Sequence, residues 1–203
     1  MRDPGELYTK RGTPWIVIIT RAAFLLYFVY SFIALYRPPL PHSKLNFIWL
    51  LYLIGLYLLA ERFYLIFQER KIDMTFAFPL LFTVFLLNLT SMLLGGQERL
   101  PQLNRLEHFA TFILLAYVIS VFFSEYLPQR VWREHPYYTA FLVMAITSLF
   151  GVTNEVIELL FDTLFDTQHV GPQYDTSLDL LMNMLGSGLF IAVWLVLRVS
   201  KTS

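Results

Sequence analysis

The 203-residue chain contains no cysteine. That excludes a disulfide framework, a thiol nucleophile and a cysteine-type zinc site, and it is compatible with either side of a membrane. Charge is scarce as well. Asp, Glu, Lys and Arg make up 15% of the residues, where a soluble domain carries about 25%. Fifteen cations against fifteen anions leave a net charge of zero, which argues against a nucleic-acid partner. There is no phosphate-loop lysine motif, no Gly-x-Ser-x-Gly, no His-Glu-x-x-His and no dinucleotide-binding glycine pattern. No lipidation motif is visible, and no repeat of solenoid period.

Apolar residues are what the chain has in plenty: 57% of the total, with 17% aromatic and a mean hydropathy of +0.56. Long apolar runs separated by short polar ones predict an all-α, polytopic membrane helix bundle, a single integral domain over residues 1–203. Six runs are long enough to cross a hydrocarbon core, at about 15–36, 46–67, 74–94, 106–127, 137–161 and 178–197. Helices are the expected form because each backbone polar group in lipid must be bonded within its own segment. The first run exceeds a cleavable signal's apolar region of about 7–15 residues and reads as an uncleaved span. Pro14 suits a helix start. "RPPLP" (Arg37–Pro41) ends the first span, "GGQERLPQ" separates the third from the fourth, and Pro128 and Pro136 bracket a loop before the fifth. Pro79, inside the third run, predicts a kink there.

Lys and Arg set the orientation. The N-tail, the turn at "QERK", the loop "PQRVWREHP" and the C-tail carry Arg2, Lys10, Arg11, Arg70, Lys71, Arg130, Arg133, Arg198 and Lys201. The opposite side carries Arg37, Lys44, Arg99 and Arg105. Both termini are therefore expected in the cytoplasm, with the stretch between the last two spans outside.

That external stretch carries the unusual chemistry. Residues 154–187 hold Glu155, Glu158, Asp162, Asp166, Asp175 and Asp179 and no Lys or Arg. Glu155, Glu158 and Asp162 share one helical face, as do Asp175, Asp179 and Asn183 on the last span. Asn104, His108 and Thr111 share a face of the fourth span, and Asn88 and Ser91 share one on the third. Four helices thus bring polar groups to one depth on one side. Ionisable groups in spans face bundle interiors or watery cavities and mark sites. Carboxylates beside a histidine suit a divalent metal, a proton relay or a general base. The alternative is interhelical hydrogen-bond glue. The functional reading is preferred for Glu155, Asp179 and His108; Glu158 and Asn183 fit both. Asp162 and Asp166 read as a solvated rim. Asp175, or else Ser177, reads as an N-cap. Gly151 and "GSG" (Gly186–Gly188) read as close-packing positions, and "GPQYD" (Gly171–Asp175) as a turn. On the other side, Arg21 and Glu61 read as a buried pair or a snorkelling arginine. Trp15, Trp49, Tyr137 and Tyr138 fit an aromatic belt. The one Asn-x-Ser/Thr match, "NLT" at Asn88, falls within a span and is no glycosylation acceptor.

Two segments, "LNRLEHFATFILLAYVIS" (Leu103–Ser120) and "NEVIELLFDT…GPQYDTSLDLLMNMLGSG", together resemble the VanZ-like family and its YjdF-type inner-membrane relatives. The first is similar to the family's acid-x-x-x-His-Phe opening of a span. The second is similar to its Glu, short external loop and Asp-x-x-x-Asn-x-x-Gly, which here fall on Glu155, Asp179, Asn183 and Gly186, with His108 from the first segment. The resemblance covers about 103–190 and departs at Glu107 and in a longer 162–174 loop. It implies a small helical protein of the bacterial cell (inner) membrane; the named member is linked to glycopeptide resistance. The reading is a polar site at the extracytoplasmic face acting on, or binding, an envelope lipid or cell-wall precursor. Glu155, Asp179 and His108 are its candidate catalytic groups and candidate metal ligands, and Asn183, Glu158 and Asp175 its candidate substrate contacts. A small proton- or cation-coupled transporter and a non-catalytic scaffold are the alternatives.

Overall fold

A computed structural model describes residues 14–37, 47–70, 72–94, 101–165, 170 and 174–199. Seven α-helices account for nearly all of them: α1 (Trp15–Tyr36), α2 (Phe47–Glu69), α3 (Ala77–Leu93), α4 (Pro101–Tyr126), α5 (Gln129–Glu134), α6 (Pro136–Phe165) and α7 (Asp175–Val199). No strand occurs among the described residues. The motifs "RPPLP" beyond Arg37 and "GGQERLPQ" before Pro101, together with Asp166, lie outside the described residues. So do most of "GPQYD" and the tail and loop cations Arg2, Lys10, Arg11, Lys44, Lys71, Arg99 and Lys201.

Helices α1, α2, α4, α6 and α7 are each long and apolar enough to cross a membrane, and α3 is a shorter apolar helix. At 17 residues and 1.5 Å per residue, α3 reaches about 25 Å, against a core of about 30 Å. The outward faces are apolar too: Leu25, Phe32, Leu58, Phe141, Leu149 and Val196 are all exposed. Helices that are apolar on every face belong in lipid. The bundle is a polytopic membrane protein.

Several local expectations change. Helix α3 begins at Ala77, so Pro79 sits in its first turn, where no intrahelical N–H is needed, rather than kinking a span. Part of the loop before the fifth span winds into α5, whose Trp132 carbonyl accepts a bond from the Arg198 guanidinium. That cation also lies over the rings of Trp132 and Trp194, at 4.7 and 4.8 Å. Trp15, Tyr137 and Tyr138 are exposed near helix ends, as belt residues should be, whereas Trp49 is only 6% exposed and belongs to the interior. Asp162 is not a free rim carboxylate. It stands in the last turn of α6 and accepts the Val170 backbone N–H at 2.7 Å.

The N-terminal half packs around an aromatic cluster. Phe24 of α1 meets Tyr57 at 4.5 Å, Phe82 at 5.2 Å and Phe85 at 5.3 Å. Arg21 and Glu61 tie α1 to α2 by a two-point salt bridge at 2.8 and 2.7 Å, which Tyr57 extends by donating to Glu61 at 2.7 Å. The two residues do pair, but at an intermediate depth rather than in the core, with the Arg21 side chain about one-third exposed. The C-terminal half is built on α4, α6 and α7, with Ala116, Ile119, Phe123 and Val143 at its apolar centre.

Helices α4 and α7 make the closest approach that the glycines reveal. A Cβ on Gly186 would collide with the Phe109 backbone carbonyl, while one on Gly188 would meet nothing within 4 Å. Close packing therefore rests on Gly186 and not on Gly188. Gly186→Ala should destabilise the folded protein by about 1–3 kcal/mol, as overpacking does. Gly188→Ala should be neutral or stabilising by up to about 1 kcal/mol, the helix-propensity gain. Thermal unfolding of both variants in detergent checks the difference.

Candidate functional site

The site begins with the register of α4 against α7. Asn104 donates to Asp179 Oδ2 at 3.0 Å, and His108 meets Asn183 at 3.1 Å. Each pair is separated by 75 positions in sequence, so the two rungs lie one turn apart on both helices and the helices run parallel. Helix α6 comes back antiparallel. Its Gly151 leaves room for α7, since a Cβ there would stand 3.0 Å from Asn183 Nδ2 and 3.4 Å from the Phe112 ring. One turn further along α6, Glu155 comes beside Asp179 of α7.

The expected site residues all prove buried: His108, Glu155, Glu158, Asp175, Asp179 and Asn183. His108, Glu155 and Asp179 come together most tightly. Each offers a ligand-type atom, and those atoms lie within 4.8 Å of one another. His108 Nε2 stands 3.6 Å from Asp179 Oδ2. That is too long for a hydrogen bond and close enough for two groups to share a third partner. These three residues are the ones able to hold a metal ion among those described. Asp175 is the first residue of α7 rather than a cap preceding it, and its Oδ2 is buried without a hydrogen-bond partner. Ser177, the other candidate cap, is exposed.

Hydrogen bonding is incomplete here. Glu155 Oε1, Asp175 Oδ2, Asp179 Oδ1 and Asn183 Nδ2 are buried and unpartnered among the described residues. Arg105, from the same turn of α4, adds a donor to this set, its Nε buried and unpartnered as well. Buried polar groups are ordinarily matched, and here several failures cluster within about two helical turns.

Glu158 faces another way, into a cavity of about 100 Å³. Trp49, Tyr52, Leu53 and Leu56 of α2 and Val84, Phe85 and Met92 of α3 form its apolar wall. Asn88, Asn104, Glu107, His108, Asn154 and Glu158 form its polar one. Helix α2 lies closest to α1, and its backbone stands off from α4 and α6, which opens this gap. The polar wall is ordered by carboxamides. Asn154 donates to Glu158 at 2.8 Å, and Asn88 donates to Glu107 at 2.9 Å while accepting the Trp49 indole N–H at 3.1 Å. His108 borders both the cavity and the triad.

Sequence reasoning missed Glu107, Trp49 and Arg105 as members of this region. Glu107 had a signal in its spacing, three residues after Asn104 and beside His108 on the inward face of α4. Trp49 had none, because an indole near a span end looks the same whether it turns to the interface or inward.

A family model described as "Predicted membrane protein (DUF2238)" matches residues 16–201. No curated protein and no solved structure matches the chain.

Asn88 joins three helices through one side chain, so Asn88→Leu strands the Trp49 N–H and a Glu107 oxygen together. The expected loss is about 1–3 kcal/mol for each group left unpaired. Trp49→Phe, which removes the donor but keeps an aromatic ring, should cost less. Denaturation midpoints of the two variants give the comparison.

Proposed function

The chain belongs to the family described as Predicted membrane protein (DUF2238), and we propose that this multi-pass membrane protein binds, and acts on, an envelope lipid or lipid-linked cell-wall precursor. The carrying observation is the two-sided cavity. Its α2–α3 wall is aromatic and aliphatic, its α4–α6 wall holds carboxylates, carboxamides and His108, and His108 also belongs to the triad with Glu155 and Asp179. At about 100 Å³ the cavity takes one end of an amphiphile, the polar head beside His108 and the first carbons against Leu53, Leu56 and Phe85.

In this reading Glu155 or Asp179 serves as general base and His108 as its acid–base partner. Glu158 contacts the polar head from the cavity wall, and Asn183 and Asp175 contact it from the triad's side of His108. The distribution of Lys and Arg supports an extracytoplasmic position for the site in a cell (inner) membrane with both termini inside. The VanZ-like pattern over about 103–190 supports the same location and marks that segment as the part carrying the site. Two interhelical hydrogen bonds, Asn104–Asp179 and His108–Asn183, favour a second reading, a purely structural scaffold. The unpartnered Glu155 and Asp179 oxygens weigh against it, since glue that leaves buried acceptors unmatched is poor glue.

Lipid analysis of the purified protein tests the proposal. Wild type should retain one lipid class enriched over the bulk membrane. Glu158→Gln, and Leu56→Trp to fill the cavity, should lose that enrichment while staying folded. A cysteine placed at the exposed Tyr174 should react with an impermeant maleimide in intact cells, against a background free of native thiols. Lipid composition identical to the bulk in all three proteins would refute the substrate reading, and labelling only after lysis would refute the orientation.

A further inference from the structure

We propose that His108, Glu155 and Asp179 hold one divalent cation of the zinc or manganese type. The proposal rests on the reading above for the site's role and adds what the site contains.

Three observations carry it. First, His108 is held by its neighbour, and the Asn183 amide as oriented in this structure selects one tautomer. Its Nδ1 meets Asn183 Oδ1 at 3.1 Å, and an amide oxygen only accepts, so Nδ1 is the donor. In a neutral ring, Nε2 then presents a lone pair, and it does so 3.6 Å from the Asp179 carboxylate. Two acceptors facing each other in a buried space repel unless a cation lies between them. A ring nitrogen anchored through its second N–H to an oxygen is also the arrangement that metal-binding histidines use.

Second, each of the two carboxylates carries an oxygen that the protein leaves uncommitted among the described residues. Glu155 Oε1 and Asp179 Oδ1 are buried without hydrogen-bond partners among the described residues, while Asp179 Oδ2, 3.6 Å from His108 Nε2, already accepts from Asn104. Both side chains are more than nine-tenths buried. An imidazolium in place of the metal would offer one further N–H, to Asp179 or to Glu155, and would leave the other carboxylate unmatched.

Third, charge and size agree. One imidazole and two carboxylates bring a divalent ion to neutrality, which is the condition for burying it. Ligand atoms around such an ion stand about 3–4 Å apart at bond lengths of about 2.0–2.2 Å. The three atoms lie within 4.8 Å of one another, so closing on an ion takes side-chain adjustments of about 1 Å or less. A nitrogen with two carboxylates suits a borderline cation, and three protein ligands leave coordination positions open for a substrate oxygen.

The experiment uses the full chain, purified in detergent, stripped with chelator, dialysed against Zn²⁺ or Mn²⁺ and analysed for bound metal. Manganese binding is followed by electron paramagnetic resonance. Wild type should bind one equivalent and gain thermal stability with saturating metal. Glu155→Gln and Asp179→Asn should each lose the equivalent while keeping a cooperative unfolding transition. Asn183→Ala, which frees the histidine ring, should bind about 10- to 100-fold more weakly. Glu134→Gln, on the exposed end of α5, is the control that keeps full binding. Folded wild type that stays metal-free overturns the proposal, and so does binding of equal strength in both carboxamide variants. Retained lipid in metal-free wild type would sink the cation and leave the lipid reading standing. A bound metal with no enriched lipid would do the reverse.

Discussion

The close approach of α4 and α7 at Gly186 governs the C-terminal half of this protein. A glycine there lets α7 lie against the Phe109 carbonyl, and that contact fixes how the two parallel helices are phased. Phasing puts Asn104 opposite Asp179 and, one turn deeper, His108 opposite Asn183. A slip of one residue would turn each partner about 100° away on its helix. The contact is small, but the alignment of four polar side chains depends on it. Gly151 extends the same logic to α6, where the missing side chain leaves space for the Asn183 amide and brings Glu155 alongside Asp179.

Lipid makes that alignment consequential. Water in the surroundings of a soluble protein can satisfy a stray carboxylate, but the hydrocarbon around this bundle cannot. The two halves of the protein answer this differently. In the N-terminal half Arg21 and Glu61 pair at two points and Tyr57 completes the set, and the buried atoms left over among the described residues are two neutral hydroxyls, of Tyr27 and Ser31. In the C-terminal half the matching stops short, with oxygens of Glu155, Asp175 and Asp179 left over at one end of the bundle. Evenly satisfied polar contacts would describe a scaffold. A local cluster of unmatched acceptors and donors around one histidine, next to a cavity with an apolar wall, is what supports the proposed binding role.

Much of this was legible in the sequence. Apolar run lengths gave the helices to within a few residues, because in lipid the burial requirement and the span length coincide. Helical spacing grouped Asp179 with Asn183, which both meet α4, since 3.6-residue periodicity determines a shared face without any tertiary information. It also grouped Glu155 with Glu158, which the fold divides between the triad and the cavity. What spacing could not give was which face meets which. Glu107 looked like a departure from a pattern and turned out to bond Asn88 across to α3. Trp49 looked like a belt residue and proved to be a buried donor. Asp162 looked like loop charge and instead accepts a backbone N–H from the chain beyond α6. Each of these depends on the angle at which neighbouring helices dock, and local sequence does not encode that angle. The stop at α5 and the harmless place of Pro79 depend on where a helix begins, which composition blurs by a few residues.

The central claim is that Glu155 and Asp179, on different helices, belong to one site. A double-mutant cycle on the chelator-treated protein measures this most directly, with unfolding free energies of wild type, Glu155→Gln, Asp179→Asn and the double variant. Carboxylates that share one buried space should be coupled by about 1 kcal/mol or more, because neutralising one relieves the other. Energies that add to within about 0.5 kcal/mol would show two independent residues and contradict the account.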